Sequence, residues 1–133
     1  MKVDLERSIE QIEGEVWPEP TLKSHLAMEC YRLRKIPLSE FRTENLRILI
    51  GQKIALHLLV PLAIDTLEED LFAEGMMYKG DLLHVVSKLP NSFWVEHVDL
   101  NNRIVELRIL IEELYSMIRD EILPALQERD YLP

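Results

Sequence analysis

Cysteine is nearly missing from this chain of 133 residues, and glycine is scarce, with one of the first and four of the second. A single thiol, Cys30, cannot close an internal disulfide, which excludes a stapled scaffold and points to a reducing cytoplasm. It sits among Met28, Tyr31 and Leu33 with no paired base in sight, so it reads as a buried, inert side chain. Long apolar runs are missing too. Arg47, Lys53, Asp65 and Arg108 interrupt the best candidates before they reach the ~20 residues of a membrane span. The opening Met-Lys-Val-Asp-Leu-Glu-Arg-Ser has no apolar signal-peptide core, so no leader is expected. Basic charge is in deficit, with 15 Lys and Arg against 24 Asp and Glu and a formal net charge of −9. Such a field repels phosphates, so neither nucleic acid nor an anionic membrane is an expected partner.

The motifs of chemistry are also lacking. There is no P-loop, GxGxxG, GxSxG or HExxH, and no basic patch interleaved with aromatics. His25, His57, His84 and His97 fall on separate predicted elements, and one cysteine adds nothing to a zinc site. The runs Glu68-Glu69-Asp70 and Glu112-Glu113 set neighbouring carboxylates about 100° apart around a helix, which converges poorly on Mg²⁺ or a reacting group. The expectation is therefore no catalytic residue, no metal, no cofactor and no enzyme. The rival that keeps chemistry is an enzyme using His57 or His84 with a nearby carboxylate.

What is present is a helical pattern in a chain that is 47% hydrophobic and 29% charged. The length suits one domain spanning residues 1–133, able to bury roughly two thirds of its unfolded surface. Val3, Leu5, Ile9 and Ile12 predict a helix over 3–13 that Gly14 stops. Trp17-Pro-Glu-Pro20 must be extended. Thr21 or Ser24 caps a second helix to about Arg34, with Leu22, Leu26, Cys30 and Leu33 on one side. Thr43 caps a third, 44–51. A fourth, 54–69, is apolar nearly all round and reads as the core helix, with a kink or break just before Pro61. A loop over 75–80 precedes a helix that starts at Asp81 or the residue before it and runs to about Lys88, and then a short turn with Phe93 and Trp94. Asp99 then caps a long last helix in which Leu100, Ile104, Leu107, Ile111, Leu114 and Ile118 alternate at spacings of three and four, and Pro124 bends or ends it. The fold expected is an all-α, compact single-domain bundle of six to eight helices. Its core should centre on Leu58, Leu59, Leu62, Ile111, Leu114 and Ile118. Val105, Leu110 and Met117 give the last helix a second apolar side, free for a partner and compatible with a homodimer.

Charge is unevenly spread. Residues 21–36 hold Lys23, Arg32, Arg34 and Lys35 against Glu29 alone, whereas 61–81 hold Asp65, Glu68, Glu69, Asp70, Glu74 and Asp81 against Lys79. Carboxylates ending an apolar helix must point outward and oppose its macrodipole by roughly 0.3–1 kcal/mol each. A partner's Lys and Arg would explain that placement. Its rival is internal pairing with the basic group at 23–35. Tyr78, beside Met76 and Met77, adds the amphipathic and adaptable side chains that recognition surfaces use. Glu68, Glu69, Asp70, Glu74, Tyr78 and Asp81 are thus the candidate partner-binding residues. Trp17 and Trp94, next to prolines and turns, read as gap fillers.

Several segments resemble a known family. Residues 8–20 (Ser-Ile-Glu-Gln-Ile-Glu-Gly-Glu-Val-Trp-Pro-Glu-Pro), 33–38 (Leu-Arg-Lys-Ile-Pro-Leu) and 46–52 (Leu-Arg-Ile-Leu-Ile-Gly-Gln) are similar to the immunity proteins of bacterial contact-dependent growth inhibition systems. The likeness continues through Pro-Leu-Ala at 61–63, Leu-Glu-Glu-Asp at 67–70, Ala-Glu-Gly at 73–75, Tyr-Lys-Gly-Asp-Leu-Leu at 78–83 and Trp94, and covers roughly residues 8–95. Lys79 departs from the proline of that pattern, and Lys53-Ile54-Ala55 is more basic than it. The resemblance implies a cytoplasmic protein that binds and neutralises the toxic C-terminal domain of a cognate exported protein, often a nuclease. It assigns no inhibitory residue. The alternative is a helical adaptor or dimerisation module unrelated to toxins.

Overall fold

The computed structural model describes residues 3–133. It is 63% helical, and among the described residues the strand-like pairing is one isolated bridge between Ser8 and Pro37. The helices are α1 (Ile9–Glu13), α2 (His25–Leu33), α3 (Thr43–Gly51), α4 (Leu56–Glu69), α5 (Asp81–Ser87), α6 (Asn91–Glu96) and α7 (Val98–Met117), which continues through a π turn (Ile118–Ile122) into α8 (Leu123–Leu126). A 3₁₀ turn, Leu38–Glu40, precedes α3.

Local chemistry sets the ends. The Ser8 hydroxyl accepts from the Gln11 N–H at 3.1 Å, and the Gln11 side chain accepts from the Ser8 N–H at 2.9 Å, a reciprocal cap. Helix α1 therefore starts at Ile9 and not at Val3. Upstream, Asp4 takes the Glu6 N–H and turns the chain, while Leu38 and Ser39 donate to the Arg7 and Leu5 carbonyls. Gly14, at φ 71°, closes α1 in the left-handed region that a glycine adopts without strain. Ser24, not Thr21, caps α2 by accepting from Ala27, so Leu22 stays outside the helix and exposed. Asn45 accepts from the Arg42 N–H, which moves the cap of α3 one residue ahead of Thr43. Helix α4 runs unbroken through Pro61. Its start falls at Leu56 because Lys53 and Ala55 both take positive φ.

The extended stretch at Trp17–Pro20 is pinned by Arg34, a cation only 1% exposed. Its guanidinium donates to the Glu13 carboxylate and the Glu15 carbonyl, both at 2.8 Å, and lies 4.1 Å from the Trp17 ring centre.

Leu58, Leu59, Val60, Ala63, Ile64 and Leu67 of α4 form the middle of the core, joined by Leu49 and Ile50 of α3 and Leu82 and Val86 of α5. From α7 only Leu107 is buried, with Leu100 and Ile104 packed partly against the cluster. Here the expected core is corrected. Leu62, Ile111 and Leu114 are half-buried, and Ile118 is 42% exposed. The reason is length: α7 has 20 residues and α4 has 14, a difference of about 9 Å at 1.5 Å per residue. The last helix outruns the body it packs on. The π turn precedes Pro124, and the helix ends at Leu126.

Candidate protein-docking surface

Between α4 and α5 the chain makes a loop over residues 70–80, and its shape is set from inside by two carboxylates. Asp81, 2% exposed, accepts from the backbone N–H groups of Gly75 at 2.7 Å, Met77 at 3.0 Å and Tyr78 at 3.4 Å. Arg47 of α3 stands 3.8 Å from the same group. Glu44, one turn before Arg47, takes the Met76 N–H at 2.9 Å and two bonds from the Arg47 guanidinium at 2.6 Å each. A Cβ at position 75 would lie 2.5 Å from a Glu44 oxygen and 3.1 Å from an Asp81 oxygen, so a side chain there would displace the carboxylates that hold the loop. Burial pushes the Asp81 carboxyl up, but the three N–H donors and Arg47 outweigh it and hold it below the usual range. The Arg47 hydrogen bonds, helped by the Met76 N–H, hold Glu44 low as well.

A loop anchored from below turns its large side chains outward. Met76 is 81% exposed and Met77 65%, with Phe72 and Tyr78 beside them about half exposed. The Tyr78 hydroxyl meets Nδ1 of His84 at 2.6 Å, which fixes the ring over α5. An apolar groove of about 500 Å³ follows, between α5 and α7, lined by Phe72, Tyr78, Leu83, Ile104, Leu107 and Ile111 among others.

The six candidate residues divide by position. Glu69, Glu74 and Tyr78 are exposed, and Glu69 and Glu74 pair with no cation among the described residues. Asp70 is also exposed and spends one oxygen on the Phe72 N–H at 3.2 Å. Glu68 shares Arg103 of α7 with Asp65, each contact 2.6 Å, and those hydrogen bonds hold its carboxyl low. Asp81 lies behind the surface and positions it. The basic segment does not reach this run: Lys23 pairs with Glu19, Arg32 with Glu29, Arg34 with Glu13 and Lys35 with Glu10. Sequence reasoning missed Arg103, Phe72 and the Glu44–Arg47 pair. Only the last had a local signal, an acid three residues before a base.

The histidines are dispersed. His57 lies 3.8 Å from Glu13 and is mostly solvated, His84 serves Tyr78, and His97 bonds the Phe93 carbonyl at 2.8 Å. Among the described residues no three His, Cys, Asp or Glu side chains gather as metal ligands. Burial raises the Cys30 thiol, with Glu29 adding to the effect, which keeps it protonated.

The family model of the CDI immunity proteins matches residues 11–104. The chain belongs to this family. The match runs from α1 into the first third of α7, so the 70–80 loop lies within the region shared by immunity proteins, and the projecting end of the last helix lies beyond it. No curated protein and no solved structure matches the chain. Among the described residues, no helix of this immunity protein is long and apolar enough to cross a membrane.

Proposed function

We propose that this immunity protein neutralises the toxic C-terminal domain of its cognate contact-dependent growth inhibition protein, a nuclease, by seating the 70–80 loop over the active site. The observation that carries this reading is the loop itself. Four large apolar or aromatic side chains stand in solvent on a backbone held by two internal carboxylates, with Glu69, Asp70 and Glu74 at the rim. A preorganised loop loses little entropy on binding. Buried apolar anchors slow release, and uncompensated carboxylates steer toward the basic cleft that a nuclease needs for phosphates. The inhibition is stoichiometric and takes place in the cytoplasm, with no turnover by the immunity protein.

Coexpression should restore growth, and the purified protein should abolish toxin activity at a one-to-one ratio. Changing Glu69 and Glu74 to Lys should slow association by about tenfold and flatten its salt dependence. The melting temperature should hardly move, since neither residue has an ion pair among the described residues. Association unchanged in that variant would place the docking face elsewhere. Turnover of nucleic acid by the protein alone, lost in His57→Ala, would replace the inhibitor with an enzyme.

A further inference from the structure

The groove between α5 and α7 differs in charge from the surface around it. The chain has 24 acidic and 15 basic residues, yet none of the eleven residues that line the groove is Asp or Glu. Its floor is apolar, from Leu83 of α5 and Ile104, Leu107 and Ile111 of α7, and its lining includes the cations Lys79 and Arg108. Both are exposed. Among the described residues Arg108 has one carboxylate contact, a 3.4 Å approach to Glu112 with both side chains mostly in solvent, and Lys79 has none. Phe72 and Tyr78 of the 70–80 loop also line the groove. The Phe72 carbonyl accepts from the Gly80 N–H at 3.2 Å, and the Tyr78 hydroxyl is tied to His84. Loop and groove thus share two anchored aromatic side chains and form one surface.

We infer that the toxin presents an acidic group beside a large apolar side chain, the apolar side chain entering this groove and the acid pairing with Lys79 and Arg108. This rests on the docking of the toxin at the 70–80 loop and names what the toxin must carry next to its basic cleft. The reason is desolvation. A partner that covers Tyr78 also covers Lys79, the next residue in the chain, and one that covers Phe72 reaches the groove it lines. A partner surface basic throughout would set like charges against Lys79 and Arg108, and a purely apolar one would bury them without an anion. Both are strongly unfavourable. An acidic group removes the penalty at both cations.

The floor sets the other half of the requirement. A cleft of about 500 Å³ lies within the ~300–1,000 Å³ that hold a ligand of drug size, so it admits a large aliphatic or aromatic side chain. A second copy of this chain is the weaker occupant, because each copy carries a formal charge of −9 and repels the other. The same pairing selects among toxins, since Lys or Arg in place of the acid would be rejected.

Surface plasmon resonance with the cognate toxin domain tests this, because two charge effects have opposite signs. Lys79→Glu with Arg108→Glu adds four negative charges to an already acidic chain. A toxin that met only the overall field would associate faster with this variant. Local pairing instead makes it dissociate at least about tenfold faster. Ser87→Trp, which fills the groove from the end of α5 without changing charge, should also speed dissociation. Melting temperatures should hold, since Lys79, Ser87 and Arg108 are all exposed. Changing one toxin Asp or Glu to Lys should restore the lifetime of the double variant and shorten that of the wild type. The Glu69 and Glu74 reversals, measured alongside, report on the loop. Groove variants with the wild-type dissociation rate, while those reversals still slow association, would overturn the groove and leave the loop standing. Wild-type kinetics in both sets, or no toxin binding by the wild-type chain, would remove both. A dimer of the free chain that Ser87→Trp dissociates would give the groove to a second copy and overturn the proposal as well.

Discussion

Replacing Asp81 by Asn tests whether the exposed loop is built from within. The substitution keeps the side chain's size and removes its charge. Three backbone N–H groups, at 2.7, 3.0 and 3.4 Å, then face a neutral amide that offers one acceptor oxygen where there were two. Hydrogen bonds to a charged group contribute about 1.5–3 kcal/mol each, and a buried donor left unpaired costs about 1–3 kcal/mol. The longest contact is marginal by distance. Arg47 retains Glu44, so its loss is partial. Two weakened bonds with one orphaned donor give an expected destabilisation of about 3 kcal/mol, within the ~3–5 kcal/mol seen when a buried charge loses its partner. For a domain of this size that lowers the melting temperature by about 10 °C. Urea unfolding measures the free energy, and hydrogen exchange at Gly75, Met77 and Tyr78 reports the loop. The toxin affinity of Asp81→Asn should fall although Asp81 is not on the surface. A loss under about 1 kcal/mol, with those three amides as protected as before, would refute the internal anchoring.

Leu59→Ala should cost about 2–5 kcal/mol by leaving a cavity at a fully buried site, and Leu114→Ala, half-buried at the edge of the body, clearly less; equal losses in urea unfolding would contradict the placement of the end of α7. Arg34→Ala should cost about 1.5–3 kcal/mol for each lost charged hydrogen bond, to the Glu13 carboxylate and the Glu15 carbonyl, and should free Trp17, with a red shift of tryptophan emission as the readout. In acid, Asp81, Glu44 and Glu68 all hold their carboxyls low when folded, so the unfolded chain binds more protons as pH falls. Their contribution is complete above ordinary carboxylate values near ~4 and is lost as pH drops through the lower folded values. A series from neutral to strongly acid pH should show that slope, and Asp81→Asn should flatten it.

The helices were legible where spacing and capping act locally. The apolar surround of α4 announced the core, and Ser24, Gly14, Pro90 and Gly80 mark real ends. Errors came from one unread local cap and from long-range partners. Helix α1 is cut short by the Ser8–Gln11 cap, a local pattern, and Leu38 and Ser39 then take the carbonyls of Arg7 and Leu5 ahead of it. Ile118 carries the same heptad signature as Leu107, and periodicity alone cannot tell a stripe that meets a core from one that runs past it. The acidic run was visible as a cluster, but Arg103 lies some 35 residues away in sequence, and the inward turn of Asp81 depends on α3.

That inward turn changes how the docking surface should work. Of the six acids between Asp65 and Asp81, Asp65 and Glu68 are offset by Arg103 and Asp81 by Arg47 and backbone donors, leaving Glu69, Asp70 and Glu74 to act through solvent. Three exposed charges, screened over about 8 Å at physiological salt, can hasten encounter but hold a complex only weakly. Lifetime must then come from Phe72, Met76, Met77 and Tyr78, whose burial returns roughly 25 cal/mol per Å². The two contributions should therefore separate kinetically. Met76→Ser with Tyr78→Ala should raise the dissociation rate and leave association and its salt dependence nearly untouched, whereas the Glu69 and Glu74 reversals act on association. Surface plasmon resonance at two salt concentrations distinguishes them. A charge reversal that acts mainly on dissociation would mean that Glu69 and Glu74 are buried against cations in the complex, and the loop would then be the rim of the interface, with its centre nearer to α4.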